Sequence, residues 1–436
     1  MRYVIIGAGV AGISAVEAIR SVDKVGEIVM ISDDPHGFYS RPGLAYYLTG
    51  ELHDKALFPR SKEAYQELNF NFLKGRVTQI LCSDHALFID GKSRLAYDKL
   101  LIAVGARALP LQTAGANLDG VLKLDHLTDA KNILKQAKRG KTAVVVGGGI
   151  TALELAEGLL ARGMKVNYLL RGDRYWSNVL DKHESLVVEG RLQSEGVVLH
   201  HHAELKEVIG KKGSVSAVQL QDGRTLKCDL LAYAVGISPC LELAQGTKLA
   251  KDRGLLVNEH LQTNDPDIYA AGDVAQVYDP LTGKSALDSL WNPAREQGKV
   301  AGWNMAGRKT AYFKSAPFNV TRLAGLTTTI IGLVGHGKDE DVIGIARGDS
   351  ETWRKLPEAI VAQGGFDVNH VRLMIGENNL IGAILMGDQT LSWPLQKMIA
   401  GKADISSIRE QLMQPDAPLA DLIAQFWMSW RTQAAL

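Results

Sequence analysis

Short apolar runs rich in β-branched side chains alternate, along residues 1–330, with longer stretches whose apolar positions recur at three- and four-residue spacing. The first run, Tyr3 to Ile6, leads into Gly7-Ala8-Gly9-Val10-Ala11-Gly12, a helical stretch from Ile13 to Ser21, and a second run from Glu27 to Ile31. The same order returns later: a run from Lys141 to Val146, the turn Gly147-Gly148-Gly149-Ile150-Thr151-Ala152, a helix through Leu160, and a run from Lys165 to Leu170. Two further buried runs, Leu100 to Val104 and Ile268 to Ala271, each end in a small-residue turn. Strands alternating with helices predict an α/β fold of parallel sheets with two Rossmann-like units.

Between the repeats the pattern is less regular. Residues 108–135 read as a connector, with a capped helix beginning at Leu127-Thr128-Asp129-Ala130. From Val197 to Ala234 short alternating runs, broken at Gly210 to Gly213 and at Gln221-Asp222-Gly223, predict a β-meander. His200-His201-His202 falls within it. Adjacent strand residues point to opposite faces, so three successive histidines cannot converge on one metal ion.

From Phe318 onward strands dominate: Thr327 to Val334, Asp341 to Ala346, Val371 to Gly376 and Leu380 to Met386, then a helix from Trp393 to Ala400. A final helix, Ala417 to Gln433, carries Leu419, Leu422, Phe426 and Trp430 at near-helical spacing, with Ile423 and Trp427 beside them. The stripe suits a cover over its own domain or a contact with a second copy, and its polar face lacks the basic cluster of a membrane-surface helix. No apolar run reaches the length of a membrane span, and the first strand begins too early for a signal peptide, so a cytoplasmic protein is expected.

The chemistry lies in the turns. In the first, Gly7 permits the tight turn, Gly9 lets backbone approach a pyrophosphate, and Gly12 lets the helix pack on its strand; the helix N-terminus offers free N–H groups to phosphate. Val10 and Ala11 complete that cradle. The second strand ends in Ser32-Asp33-Asp34, and Asp33 is the expected partner of ribose hydroxyls. In the second unit Gly147, Gly149 and Ile150 form the turn, but the following strand ends in Leu170-Arg171-Gly172-Asp173-Arg174. Arg171 and Arg174 supply cations where an acid would repel a 2′-phosphate, which favours NADPH over NADH. Ordinary solvated loop charges are the plain alternative.

Charge removes other classes. Lys and Arg total 49 against 48 acidic residues, so no chain-wide basic field exists for nucleic acid. Cys82, Cys228 and Cys240 lie far apart, without metal-ligand spacing, and read as small buried hydrophobes.

Taken together, GAGVAG, IAVGARALP, VVVGGGITALELAE, LAYAVGISP and IYAAGDVA resemble the pyridine nucleotide-disulfide oxidoreductase superfamily. The resemblance implies an FAD-binding domain, residues 1–110 and 241–317, split by an NAD(P)-binding domain, residues 111–240, and followed by an α+β interface domain, residues 318–436, that in many members forms a homodimer. It places Val77, Ala103, Gly105 and the pair Gly272-Asp273 on FAD, Gly236 on the nicotinamide nucleotide, and Trp291 at the flavin's pyrimidine edge. Phe38-Tyr39-Ser40-Arg41-Pro42-Gly43-Leu44 resembles the YxRPxLS segment of rubredoxin- and ferredoxin-reductase-like flavoproteins and of the nitrite reductase large subunit, which sets Arg41 and Pro42 against the flavin.

Two departures shape the expected chemistry. Ser40 and Gly43 stand where disulfide-reducing members carry cysteine, so no dithiol serves the flavin. Glu154 matches a family glutamate near flavin N5 whose lysine partner is replaced here by Tyr46; either the Glu154 pKa rises or Tyr46 hydrogen-bonds it, unless Glu154 is an exposed helix-surface acid. The implied enzyme is an FAD-dependent NAD(P)H oxidoreductase passing electrons to a ferredoxin- or rubredoxin-like redox carrier protein or to a small acceptor. Two other wirings share these motifs: a quinone reductase whose terminal helix touches a membrane, and a flavin-bearing interaction protein resembling apoptosis-inducing factor.

Overall fold

The structure, a computed structural model, describes residues 1–280, 283–335, 360–366 and 369–433. The expected strand Asp341 to Ala346 lies outside them.

The first unit is a five-stranded parallel sheet in the order Ile268–Ala270, Lys99–Ile102, Arg2–Ile6, Glu27–Ser32, Asn71–Lys74. Arg2–Ile6 is buried from Tyr3 onward, as the run of apolar residues requires of a strand covered on both faces. The helix Val10–Val22 lies on it, and the helix Trp291–Met305 packs against that helix so closely that a Cβ at Gly298 would collide with the Ala11 carbonyl. The chain leaves this sheet after Ile102 and rejoins it at Ile268, 166 positions later.

Between those points lies a second parallel sheet, in the order Val198–His200, Lys165–Leu169, Thr142–Val146, Leu230–Tyr233, Val121–Lys123, with the helix Ile150–Ala161 opening behind Gly149. The meander is shorter than the alternation suggested. Only Leu205–Lys211, Ser214–Leu220 and Thr225–Lys227 form an antiparallel sheet; Val198–His200 and Leu230–Tyr233 join the parallel one. All four residues of Leu230–Tyr233 are buried, and that burial holds the run in the sheet's interior.

The three histidines do not share a strand. His200 ends one and shares a hydrogen bond with Asn167, His201 pairs with Glu189, and His202 turns out in the left-handed region at φ 49°. They serve three separate local contacts. The helix Leu127–Gln136 is capped as expected, with the Asp129 carboxylate accepting from the His126 N–H.

The last sheet is antiparallel, in the order Phe318–Leu323, Leu326–Gly332, Leu380–Met386, Asn369–Ile375, Ile360–Phe366. Its core continues into the helices Ser392–Ala400 and Leu419–Gln433: Leu419 and Ile423 are buried, Trp427 and Trp430 pack beside them, and the Trp430 ring lies against Gly401. The stripe of the final helix therefore covers its own domain. No helix among the described residues is long and apolar enough to cross a membrane.

This sheet is fastened to the second unit by buried charge. Glu184 accepts from Arg372 Nε at 2.9 Å and lies 3.1 Å from His370 Nε2, while Arg372 Nη2 donates to the Val179 carbonyl. Arg372 and Glu184 are fully buried.

Candidate active site

A cavity of about 870 Å³ opens at the C-terminal edge of the first sheet, where strand order reverses between Arg2–Ile6 and Lys99–Ile102. Gly7, Gly9, Val10, Ala11, Asp33, Arg41, Pro42, Val77, Ala103, Gly105, Gly272, Asp273 and Trp291 all line it. Gly12 stands behind the wall, where a Cβ would collide with the Gly7 carbonyl. Gly7 itself sits at φ 110°, and a Cβ there would strike the Ala103 carbonyl; Gly9 has open space on that side. The turn is thus packed from behind and clear toward the cavity.

Two helices begin at this wall. Val10–Val22 starts at the glycine turn, and Trp291–Met305 starts at Trp291, whose ring stacks on Phe38 with centroids 6.1 Å apart. Trp291 is at once core aromatic and cavity wall. The Gly272 N–H donates to Gln297 at 2.8 Å, fixing the Gly-Asp turn to the second helix. Burial pushes Asp273 up to about 6, with Arg41 opposing the rise and Asp288 adding to it.

Residues far apart in sequence join this wall. Arg41 Nη2 donates to His126 Nδ1 at 2.7 Å, and Asp125 is buried 4.0 Å from Arg41. Burial, then Arg41 and Lys123, depress His126 to about 4, leaving it neutral and able to accept from the guanidinium. Tyr39 hydroxyl accepts from the Leu127 N–H and donates weakly toward Asp34. Asp34 thus has internal partners, whereas the more exposed Asp33 faces the rim beside Arg76. Lys123, Asp125 and His126 carried no motif; only the turn before Leu127 hinted at them.

The second unit reaches the same cavity. Ile150, Thr151, Glu154 and Glu157 line it from the helix Ile150–Ala161, and the Thr151 hydroxyl is buried with no partner among the described residues. Glu154 is no exposed surface acid: burial, reinforced by Glu157, pushes it up to about 8. No hydrogen bond joins it to Tyr46 among the described residues; the Tyr46 ring instead carries the Arg322 guanidinium, 4.9 Å from its centroid. With no hydrogen bond from Tyr46, burial favours a raised Glu154 carboxyl in place of a lysine-paired one.

Gly147, Gly149, Gly236, Arg171 and Arg174 lie outside this cavity's lining, around the C-terminal edge of the second sheet, just after Val146, Leu169 and Tyr233. Arg174 is engaged by neighbouring Asp173, at 3.0 Å to both carboxylate oxygens, and by the Ser177 carbonyl. Arg171 is exposed.

Among the cysteines, Cys228 is buried as expected. Cys82 and Cys240 are half-buried, and Cys240 borders the cavity beside Arg107 and Glu242, a position that periodicity could not reveal. Neither other cysteine lines the cavity, so no sulfur pair forms there.

The donor set fits a flavin dinucleotide: two helix N-termini and bare glycine backbone for a pyrophosphate, carboxylates for polyol and ribose, aromatic and apolar walls for a ring system, and an unpartnered buried hydroxyl. Residues 1–301 match the family described as Pyridine nucleotide-disulphide oxidoreductase, and the chain belongs to it. It is an oxidoreductase that uses FAD and NADH or NADPH. It is 30% identical to a rubredoxin-NAD(+) reductase of Pseudomonas putida over 79% of this chain and 89% of that protein. It is 29% identical to an NADH oxidase of Methanocaldococcus jannaschii over 91% of this chain and 90% of that protein. It spans about half (51%) of an assimilatory nitrate reductase electron transfer subunit of Bacillus subtilis, at 27% identity over 95% of this chain. The reductase of a covalent putidaredoxin reductase–putidaredoxin complex shares its fold, with a TM-score of 0.85, 23% identity, and coverage of 97% and 98% of the two chains.

Proposed function

We propose that this enzyme takes hydride from NADPH and passes the electrons singly to a small iron–sulfur or rubredoxin-type carrier protein. The observation that carries the reading is one cavity walled by both nucleotide units, with Ile150, Thr151 and Glu154 facing Asp273, Arg41 and the first glycine turn, and no sulfur pair to act as relay. FAD held there would supply the conversion between two-electron hydride chemistry and one-electron transfer. The protein's own part is placement. The first glycine turn and the N-terminus of Val10–Val22 hold the pyrophosphate, Asp33 the ribose, and Gly272 with Asp273 the ribityl and phosphate; residues 1–110 and 241–317 form the FAD domain.

Gly147, Gly149, Ile150 and Gly236, within residues 111–240, would hold the nicotinamide nucleotide. Arg171 binds the 2′-phosphate. Relatives at 30% and 33% identity are named rubredoxin-NAD(+) reductases, and one at 28% is a ferredoxin--NAD(+) reductase component, which supports a carrier acceptor. The preference for NADPH rests on Arg171, in contrast to those names. Residues 318–436 serve as the interface of a homodimer. The terminal helix packs on its own domain, which favours the carrier reductase over a membrane-contacting quinone reductase.

Anaerobic stopped-flow mixing with each nucleotide tests the donor: NADPH bleaches the flavin faster than NADH, and the reverse order removes the Arg171 argument. Turnover with purified ferredoxins and rubredoxins against quinones tests the acceptor.

A further inference from the structure

Glu154 and Glu157 stand three residues apart on the helix Ile150–Ala161, so they share one face, and both line the cavity. Family resemblance accounts for the first and says nothing of the second. Glu157 lies on the side where the last sheet closes the cavity, at Asn319, Val320, Thr321 and Arg322. Its carboxylate accepts from the Gly325 N–H, and the Arg322 charge opposes the effect of its burial. Arg322 in turn forms a two-pronged pair with Glu51, at 2.6 and 2.8 Å, and lies over Tyr46. The Arg322 and Glu51 side chains are 30% and 47% exposed, so the charge that opposes the burial of Glu157 reaches water.

The reaction stoichiometry leaves a task for such a pair. A hydride carries two electrons and one proton. Two one-electron carriers take the electrons only, so NADPH and two oxidised carriers give NADP⁺, two reduced carriers and one H⁺. That proton has to leave a cavity walled by protein.

We propose that Glu157, with Arg322 as its counter-ion, is the exit carboxyl: the O–H bond at Glu154 breaks as one forms at Glu157, which releases the proton to water beside Arg322 and Glu51, and the proton left from the hydride restores the O–H bond at Glu154. This deepens the reading of a carrier reductase and rests on it. The charge balance suits the role. Glu157 is pushed up to about 7 by burial, and Arg322 opposes the rise; Glu195 and Glu51 add to it, Glu154 shares its helix face, and the buried Tyr168 phenol looks onto it from the second sheet. A carboxyl poised near neutrality exchanges protons in both directions. The missing family lysine fits too: the cation at the mouth comes from Arg322, on a different domain, and it acts on Glu157.

The test uses holoenzyme and two readouts. In carboxyl infrared titration between pH 5 and 9, the wild-type protein shows a carboxyl titrating near neutrality. Glu157→Gln removes that band and lowers the Glu154 midpoint, and Arg322→Gln, which keeps the carboxyl, raises the Glu157 midpoint. Absence of any carboxyl titrating above pH 6 in the wild-type protein, or no shift in Arg322→Gln, overturns the proposal. In single turnover with ferricyanide and a pH-indicator dye, proton appearance tracks electron transfer in the wild-type enzyme and lags it by at least about tenfold in Glu157→Gln, with Glu157→Asp restoring part of the rate. Proton release that keeps pace in Glu157→Gln overturns it. Failure of NADPH and NADH alike to bleach the flavin would sink the reductase reading instead, and the infrared titration stands apart from that outcome.

Discussion

Arg171 holds the place in the second unit that Asp33 holds in the first. Ile6 pairs with Ile31 in one parallel sheet and Val146 with Leu169 in the other, so each residue stands two positions beyond the last paired one, opposite the glycine turn. One strand end carries a carboxylate and its counterpart a guanidinium. On the proposed reading, the same backbone site serves hydroxyls in one unit and phosphate in the other.

Replacing Arg171 with aspartate is expected to raise the KM for NADPH by about 10- to 100-fold, the worth of a charge-assisted hydrogen bond, and to improve NADH. Arg174→Ala is expected to change either KM less than threefold, because Asp173 already holds that guanidinium. Steady-state kinetics with both nucleotides decides the ranking.

The first glycine turn separates folding from binding. Gly7→Ala places a side chain at φ 110° against the Ala103 carbonyl and is expected to cost several kcal/mol, seen as insoluble protein or a large fall in Tm. Gly9→Ala meets nothing within 4 Å and is expected to fold normally while losing flavin, measured as the ratio of flavin absorbance to protein.

Stability should fall as pH rises from 5 to 9. Glu154 ionises near 4.5 in the unfolded chain and only at about 8 when folded, so across that window the folded state holds a proton that the unfolded state has shed. Raising the pH therefore favours unfolding. Glu154→Gln removes the titration, and its gain in stability over wild type is expected to be larger at pH 9 than at pH 5, on the order of a few kcal/mol at most. Scanning calorimetry at the two pH values measures it.

Arg372→Met is expected to cost about 3–5 kcal/mol in denaturant unfolding, because it leaves Glu184 buried without its guanidinium partner. Changing Arg372 and Glu184 together to apolar residues should recover most of that loss. A double-mutant cycle gives the coupling.

The nucleotide units were legible because each is a local pattern: an apolar run, glycines at fixed offsets, a helix and a second run occupy about 30 contiguous residues. The meander was overextended for a related reason. Alternation shows that a run is a strand but not which sheet receives it, and burial of Leu230–Tyr233 decided that. Glu154 was visible by resemblance, Arg322 and Glu157 as a pair were not, since they come from different domains and share no spacing.

The sequence by itself determined the class of fold, the two glycine turns, the absent cysteine pair and the exchange of acid for arginine at the second strand end, because backbone conformation and residue chemistry are written locally. Tertiary structure decided which charges meet: Arg41 with His126, Arg372 with Glu184, and Arg322 with Glu51 beside Glu157. A carboxyl's pKa depends on the surfaces and charges that packing brings around it, and those come from elements more than 80 residues apart in each of these three pairs.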